Sequence, residues 1–545
     1  MNQAALLLGS FAFLSQILGL FRDRAIAHFI GPGPSLDAYY AAFRIPDLIF
    51  ISIASLVSIT VLIPFLLQRM NDGLITDEAR KFLNDVFSVF LLTMLTVSII
   101  VFILMPYVVP WIAPGFSAAM QDKVVELSRI MLLSPVFLGL SNLFGSVTQL
   151  FKKFFLYSLS PVFYNFGIIA GIIFLYPVFG IHGLAVGVIG GAGMHFLIQF
   201  FSSVSCGLTP KLNVHIDWQN IKQVFFTSIP RTLGLSFNNI ALICIVSFAS
   251  YLTSGSISIF NLSLNLQSVP LGIIGLSYAV AAFPMLTKSY SAGRLEEFKD
   301  YITAGAKQII FWSLPITFLF IVLRAQIVRV ILGSGSFSWE NTRLVAASVA
   351  IFSISIVAQG LTALFARAYY AGGNTKRPLV VNFLSSVSII MFSSLFLFLF
   401  KEYSLFKNFI ESILKVSDIP GTAVLMLPLA YSVGTVINCT ILGFFIKKDF
   451  MKNTVFISKA FFQSLAASFF LGLVSYLSLN AFSGVFSNST FWGVFLEGFI
   501  SGIFGIMAGG LVLYLFKNEQ LYVLLRALKT KFWKAKIIIS EEEGL

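Results

Sequence analysis

Charge is what this chain lacks. Of 545 residues only 11% are Asp, Glu, Lys or Arg, and acids are the scarcer sign, 23 against 36 bases. A soluble globular chain carries about 25% charged residues, so a surface wetted on every side is excluded. Cysteine is nearly missing as well: Cys206, Cys244 and Cys439 lie in or at the end of apolar segments, with no CxxC pair and no nearby histidine. That excludes a disulfide framework and argues against zinc or redox chemistry, so no metal and no cofactor are expected. Long polar stretches are missing too, which leaves no room for a large soluble domain. What remains is apolar: 57% of the chain is hydrophobic, with 60 phenylalanines and a mean hydropathy of +0.91. The expected fold class is an all-α polytopic membrane protein.

A helix needs about 20 apolar residues to cross the hydrocarbon. Sliding that window along the chain predicts fourteen spans, near 5–30, 37–68, 84–111, 125–151, 156–179, 181–208, 223–250, 255–287, 303–333, 341–371, 378–400, 421–446, 459–483 and 489–516. The first carries Arg22, Asp23 and Arg24 too deep for a cleavable signal peptide. With both termini inside, the inside loops and tail hold 22 of the 36 bases, whereas the outside loops hold five, Lys123, Arg343, Lys401, Lys407 and Lys415. Basic loops stay cytoplasmic, so both ends are expected there, and the net charge of +13 reads as topology rather than as a nucleic-acid footprint. The basic stretch Leu521 to Lys536 suits an amphipathic helix on anionic lipid or a solvated tail.

Nine bases fall inside spans. Lys307, Arg324, Arg329 and Arg367 sit near span ends, where snorkelling explains them, and Arg129 is similar. Arg22, Arg24, Arg44 and Arg231 lie deeper or beside helix interruptions, with Asp23, Asp37 and Asp47 close to the first three in sequence. A charge at the bilayer centre costs about 3 kcal/mol on insertion scales, so these are expected to line a polar cavity. The competing reading is that the arginines pair with those acids and brace the fold.

The halves echo one another. Gly139-Leu140-Ser141-Asn142-Leu143-Phe144, followed by Pro161, Asn165 and Phe166, matches Gly360-Leu361-Thr362-Ala363-Leu364-Phe365, followed by Pro378, Asn382 and Phe383. Leu18-Gly19-Leu20 pairs more faintly with Leu233-Gly234-Leu235. A six-span unit is even-numbered, so two copies insert the same way up, as in transporters built from parallel repeats. The expected organisation is an N-lobe over 1–208, a C-lobe over 209–446, two extra spans over 447–516 and a basic tail over 517–545. Pro46, Pro230 and Pro270 interrupt spans where a transporter would bend, and Gly187, Gly190, Gly191 and Gly193 permit close helix packing.

Several stretches resemble the MurJ (MviN) family of lipid II flippases, within the multidrug/oligosaccharidyl-lipid/polysaccharide exporter superfamily. They are LGLFRD from Leu18 to Asp23, DAYYAAFRIP from Asp37 to Pro46, Ala249 to Ser256 leading to PLGIIG from Pro270 to Gly275, FPMLTKS from Phe283 to Ser289, GSGSF from Gly333 to Phe337, and AYYAGGNTKRP from Ala368 to Pro378. The resemblance implies two lobes around a cationic cavity, with spans 13 and 14 forming a groove for a polyprenyl tail. It further implies that the protein moves the undecaprenyl-pyrophosphate-linked peptidoglycan precursor across a bacterial inner membrane by alternating access. Membrane lipids are the other expected partner, a monovalent cation is a candidate, nucleic acid is not a partner, and a monomer is expected.

Arg22 and Asp23 match the family's Arg-Asp pair in span 1, and Asp37 matches its acid at the start of span 2. The chain departs from the pattern elsewhere. Gln16, Phe50, Ile51 and Asn265 stand where the family has arginines, Ser268 where it has an acid, and Ser55 at its glutamate. Arg24, Arg44 and Arg231 offer a substitute cationic set, while Gln16, Asn261, Asn265 and Gln267 offer neutral hydrogen bonds to sugar or peptide. By analogy with relatives that use sodium, Asn239 and Asn382 are candidate cation ligands, yet no carboxylate accompanies them. His28 is a candidate titrating group, and a packed or snorkelled histidine is the plainer reading.

Other functions compete. A different polyprenyl-linked oligosaccharide or a cation-coupled drug exporter fits the same fold, and the extra span pair favours the lipid-linked cargo. A membrane glycosyltransferase needs a DxD-like metal site, but the longest loops hold only the scattered acids Glu402, Glu411, Asp418 and Asp217. A homologue that has lost transport is the remaining reading, given the missing arginines.

Overall fold

The computed structural model describes residues 2–54, 59–70, 75–451, 458–487 and 490–533, and these fold into helices, with no strand among the described residues. Among the described residues eleven helices are long and apolar enough to cross a membrane, twelve if the bent pair Trp339–Ser353 and Ile356–Ala371 counts as one span. These twelve correspond to the expected spans 3 to 14. The expected first span is the helix Asn2–Phe29. The second is broken into Pro34–Ala42, Arg44–Ile49, a π turn at Phe50–Ala54 and Ile59–Leu67. Pro34 starts the first of these pieces, where its missing N–H and fixed φ cost nothing. Pro46 falls in the opening turn of the next piece, and Pro270 ends the helix Ser256–Pro270, with a wide π turn at Leu271–Leu276 behind it. The helix Trp218–Ser250 runs through Pro230, whose side chain is outside the described residues.

Two compact units emerge. The first comprises Met1–Val269, Val328–Ser355 and Gly373–Leu442, and the second comprises Pro270–Ile327, Ile356–Gly372 and Gly443–Leu545. Lipid offers no hydrophobic drive for helix association, so close backbone approach through small residues does that work. In the first unit the helix Phe154–Ala170, continued by a π turn at Gly171–Leu175, meets Ile181–Ser205 along a glycine seam, where a Cβ added to Gly187 would stand 2.6 Å from the Cα of Gly171. In the second unit Phe491–Leu515 packs on Ser458–Phe482 through Gly505 and Gly509, and a Cβ at Gly505 would meet the Leu471 carbonyl at 2.6 Å. The basic stretch after Lys517 forms the helix Glu519–Trp533, and residues 534–536 of the expected amphipathic segment lie outside the described residues.

Candidate functional site

Three consecutive polar residues near the end of the first helix point to three faces, because successive residues turn by about 100°. Arg22 donates from Nε and Nη2 to Oδ1 of Asp23, at 3.0 and 2.8 Å, and from Nη1 to Oδ1 of Asn165 at 3.2 Å. Asn165 donates in turn from Nδ2 to the Ser15 hydroxyl at 3.2 Å and to the Pro161 carbonyl at 3.1 Å. Asp23 is buried, but the Arg22 side chain keeps 23% of its surface exposed. On the third face Arg24 donates to the carbonyls of Val330 and Ile331, at 2.6 and 3.2 Å. Those carbonyls belong to the last turn of the helix Arg324–Leu332, where unpaired C=O groups attract a cation.

The second segment begins with the buried carboxylate of Asp37. Oδ2 accepts the Gly255 N–H at 2.6 Å, while Oδ1 accepts the Ser258 N–H at 2.8 Å and the Ser258 hydroxyl at 2.5 Å. Asp37 thereby caps the helix Ser256–Pro270 from across the unit, satisfying first-turn N–H groups that the helix itself cannot. Gly255 has φ +94, a conformation that suits glycine. Two turns further along the same region, Arg44 is 8% exposed and donates from Nη2 to Oδ1 of Asn261. The Asn261 amide is aimed by its own bond from Nδ2 to the Ile257 carbonyl at 2.7 Å. Among the described residues the Arg44 Nε–H has no acceptor, nor has the Tyr40 hydroxyl, nor Nε2 of Gln267. Tyr40 is within electrostatic reach of Arg22, Asp23, Asp37 and Arg44, and Asp47 of Arg44. Tyr40 is therefore the common neighbour of four of the expected site residues.

Gln16 and Asn265 are partly exposed and make no side-chain hydrogen bond among the described residues. Arg231 is on the helix Trp218–Ser250, but its side chain lies outside the described residues, as does Ser55. At the candidate cation site, Asn239 donates to the Leu235 carbonyl of its own helix at 3.2 Å, and Asn382 accepts from Asn438 at 3.1 Å. Among the described residues no three His, Cys, Asp or Glu side chains gather as a metal site.

Two participants escaped the sequence reading. Asn165 appeared there only as a marker of the duplication, and Tyr40 only as a letter in the DAYYAAFRIP stretch. The signal available for Asn165 was a lone amide inside an apolar span, four residues after a proline.

Further contacts close the same end of the first unit. The Ser336 N–H donates to the His28 carbonyl at 2.9 Å. Gly335, at φ +59, lies so close to His28 that no side chain would fit there. The Gly115 N–H donates to the Ser250 hydroxyl at 2.9 Å. With Asp37, these bonds join the expected spans 1 and 2 and the loop after span 3 to spans 7 and 8 and the loop after span 9.

Comparison with known proteins agrees in kind. The sequence profile of a family described as lipid II flippase MurJ matches residues 26–496. A probable lipid II flippase MurJ from Rhizobium tropici is 26% identical over 391 residues, covering 69% of this chain and 73% of that protein. A lipid II flippase MurJ from Burkholderia cenocepacia is 26% identical over 388 residues, covering 70% and 75%. A solved structure of a lipid II flippase MurJ in an inward closed conformation superposes with a TM-score of 0.77 at 21% identity, covering 95% of this chain and all of that one. An inward-facing multidrug transporter of the MATE family shares the fold, with a TM-score of 0.64 at 14% identity over 81% of this chain.

Proposed function

The chain belongs to the lipid II flippase MurJ family, and from that premise we propose that it carries the undecaprenyl-pyrophosphate-linked peptidoglycan precursor from the inner to the outer leaflet. The observation that supports an anionic cargo is Arg44. The residue is nine-tenths buried, its hydrogen-bonded partner is a neutral amide rather than a carboxylate, and among the described residues its Nε–H is unspent. A buried donor without an acceptor costs about 1–3 kcal/mol, a cost that a phosphate oxygen arriving at Arg44 would remove. Arginine forks suit pyrophosphate, since two parallel N–H bonds meet two oxygens.

In this reading Arg22 and Arg44 hold the pyrophosphate, with Arg231 as a third cation, while Asn261, Gln267, Gln16 and Asn265 face sugar and peptide. Asp23 and Asn165 position Arg22. Asp37 and Arg24 act on conformation, since each already serves a helix end. The proposed architecture has fourteen spans, a lobe over 1–208, a lobe over 209–446, spans 13 and 14 within 447–516 as the tail groove, and both termini in the cytoplasm of a bacterial inner membrane. Transport then requires the Asp37, His28 and Gly115 contacts to break and re-form in each cycle. A monomer suffices for this scheme, and a monovalent cation is its candidate driver.

The test is precursor translocation by the purified chain in vesicles, compared with Arg44→Gln. Translocation reduced at least tenfold, with thermal stability preserved, supports the reading. Unchanged translocation by Arg44→Gln refutes the role of Arg44.

A further inference from the structure

The connection between the expected spans 11 and 12 is itself a helix, Ser404–Leu414, and apart from Lys407 and Glu411 its residues divide into three faces. Phe406, Ile410 and Leu414 form one, turned toward the protein, with the Phe406 ring 6.4 Å from that of Phe396. Ser404, Asn408 and Ser412 form a second, polar face. Leu405, Phe409 and Ile413, spaced by four, form a third that is apolar yet 85%, 59% and 59% exposed. In water such a stripe would be costly at about 25 cal/mol per Å², and no described residue of the first unit covers it.

The helix cannot roll to hide the stripe. Thr422 donates to the buried Glu411 at 2.5 Å, and Lys415 ends the helix in the left-handed conformation, with φ 58. Beyond the turn Arg343 donates to both oxygens of Asp418, each at 2.6 Å. The apolar helix Lys376–Glu402 just before it also exposes large side chains: Met391, Leu395 and Phe398 are 55%, 41% and 56% exposed. Around it Lys401, Lys407 and Lys415 are exposed, against Glu402 as the exposed acid left over once Arg343 has taken Asp418.

We infer that Ser404–Leu414 is an interfacial anchor, which seats Leu405, Phe409 and Ile413 among acyl chains while Lys401, Lys407 and Lys415 hold the headgroups of anionic phospholipid. A helix with an apolar face, a polar face and flanking lysines lies in the plane of the interface, its apolar side buried about 5–10 Å. The inference rests on the reading of Lys376–Glu402 as a membrane span and is independent of the cargo.

The test uses the full chain in vesicles, with Cys206, Cys244 and Cys439 replaced by serine and one fluorophore placed at Leu395→Cys, Asn408→Cys or Phe409→Cys. Quenching by acyl-brominated lipid is compared with quenching by aqueous iodide. The expected result is bromolipid quenching at 409 about threefold or more above that at 408, with iodide showing the reverse order, because only the apolar face sits below the headgroups. Quenching at 409 should also rise when phosphatidylglycerol replaces phosphatidylcholine. A probe at 409 reached by iodide and spared by bromolipid, while 395 is quenched, overturns the inference and marks the stripe as a protein-docking face. Equal quenching at 409 in the two lipids overturns the anionic preference. A probe at 395 spared by bromolipid overturns the span on which the inference rests, whatever happens at 409.

Discussion

Asp37 offers the sharpest perturbation, because its two oxygens hold one end of the first unit closed. Asp37→Ala removes an acceptor from the Gly255 and Ser258 N–H groups and from the Ser258 hydroxyl, all buried at that point. A lost cap costs about 1 kcal/mol, and one orphaned buried donor adds about 2 kcal/mol. The cost of about 3 kcal/mol falls only on the closed arrangement, since water supplies acceptors once the segments part. At 1.4 kcal/mol per decade that is roughly a hundredfold shift toward the parted state. Asp37→Asn should shift it less, because an amide keeps one acceptor and turns an NH₂ toward a donor. Spin labels at Ser117→Cys and Ser254→Cys, both exposed in the closed form, read the change as a distance distribution. A longer population growing from trace to majority in Asp37→Ala fits the reasoning. An unchanged distribution, with the protein folded, refutes it.

Other outcomes follow from the same contacts. Arg22→Gln should lower precursor translocation at least tenfold, whereas Asn165→Leu, which only frees the guanidinium to reorient, should lower it less; equal losses would place Asn165 in the site itself. Gly187→Leu should destabilise the fold by about 1–3 kcal/mol or more through overpacking against Gly171, read as thermal unfolding in detergent, whereas Gly190→Leu, with open space around it, should not. Outside the spans, the hydrogen bonds from Arg343 hold the Asp418 carboxyl below its ordinary range. A depressed folded value stabilises above the unfolded pKa of about 4. The stability difference between the parent and Asp418→Asn should therefore be present at neutral pH and fade as the pH falls through the acid range; a difference that grows on acidification would contradict it.

Much of this was legible in the sequence. Apolar windows of helical length match eleven or twelve of the fourteen expected spans, since the bilayer fixes how many residues must be greasy, and the same rule exposes Arg22, Asp23, Arg44 and Asp37 as residues needing a reason. The partners that supply the reason were not legible. Arg24 is satisfied by carbonyls about 300 residues away, and Asp37 by N–H groups of a helix start. Backbone acceptors and donors carry no sequence signature. Arg44 and Asn261 were both singled out, yet nothing in the spacing joined them, because contacts between separate spans depend on helix rotation. The break of the second segment at Phe43 and the π turn after it were likewise legible only as a nearby proline.

At the centre of the proposed function, arginine side chains within the spans carry an anionic lipid headgroup across the bilayer. The most direct measurement is the appearance of labelled lipid-linked precursor in the opposite leaflet of vesicles holding this chain or its Arg22→Gln, Arg44→Gln, Arg231→Gln triple variant. Rapid transfer by the parent and transfer at the protein-free rate by the inserted triple variant is the predicted result. Equal transfer by both, or none by the properly inserted parent, contradicts the account.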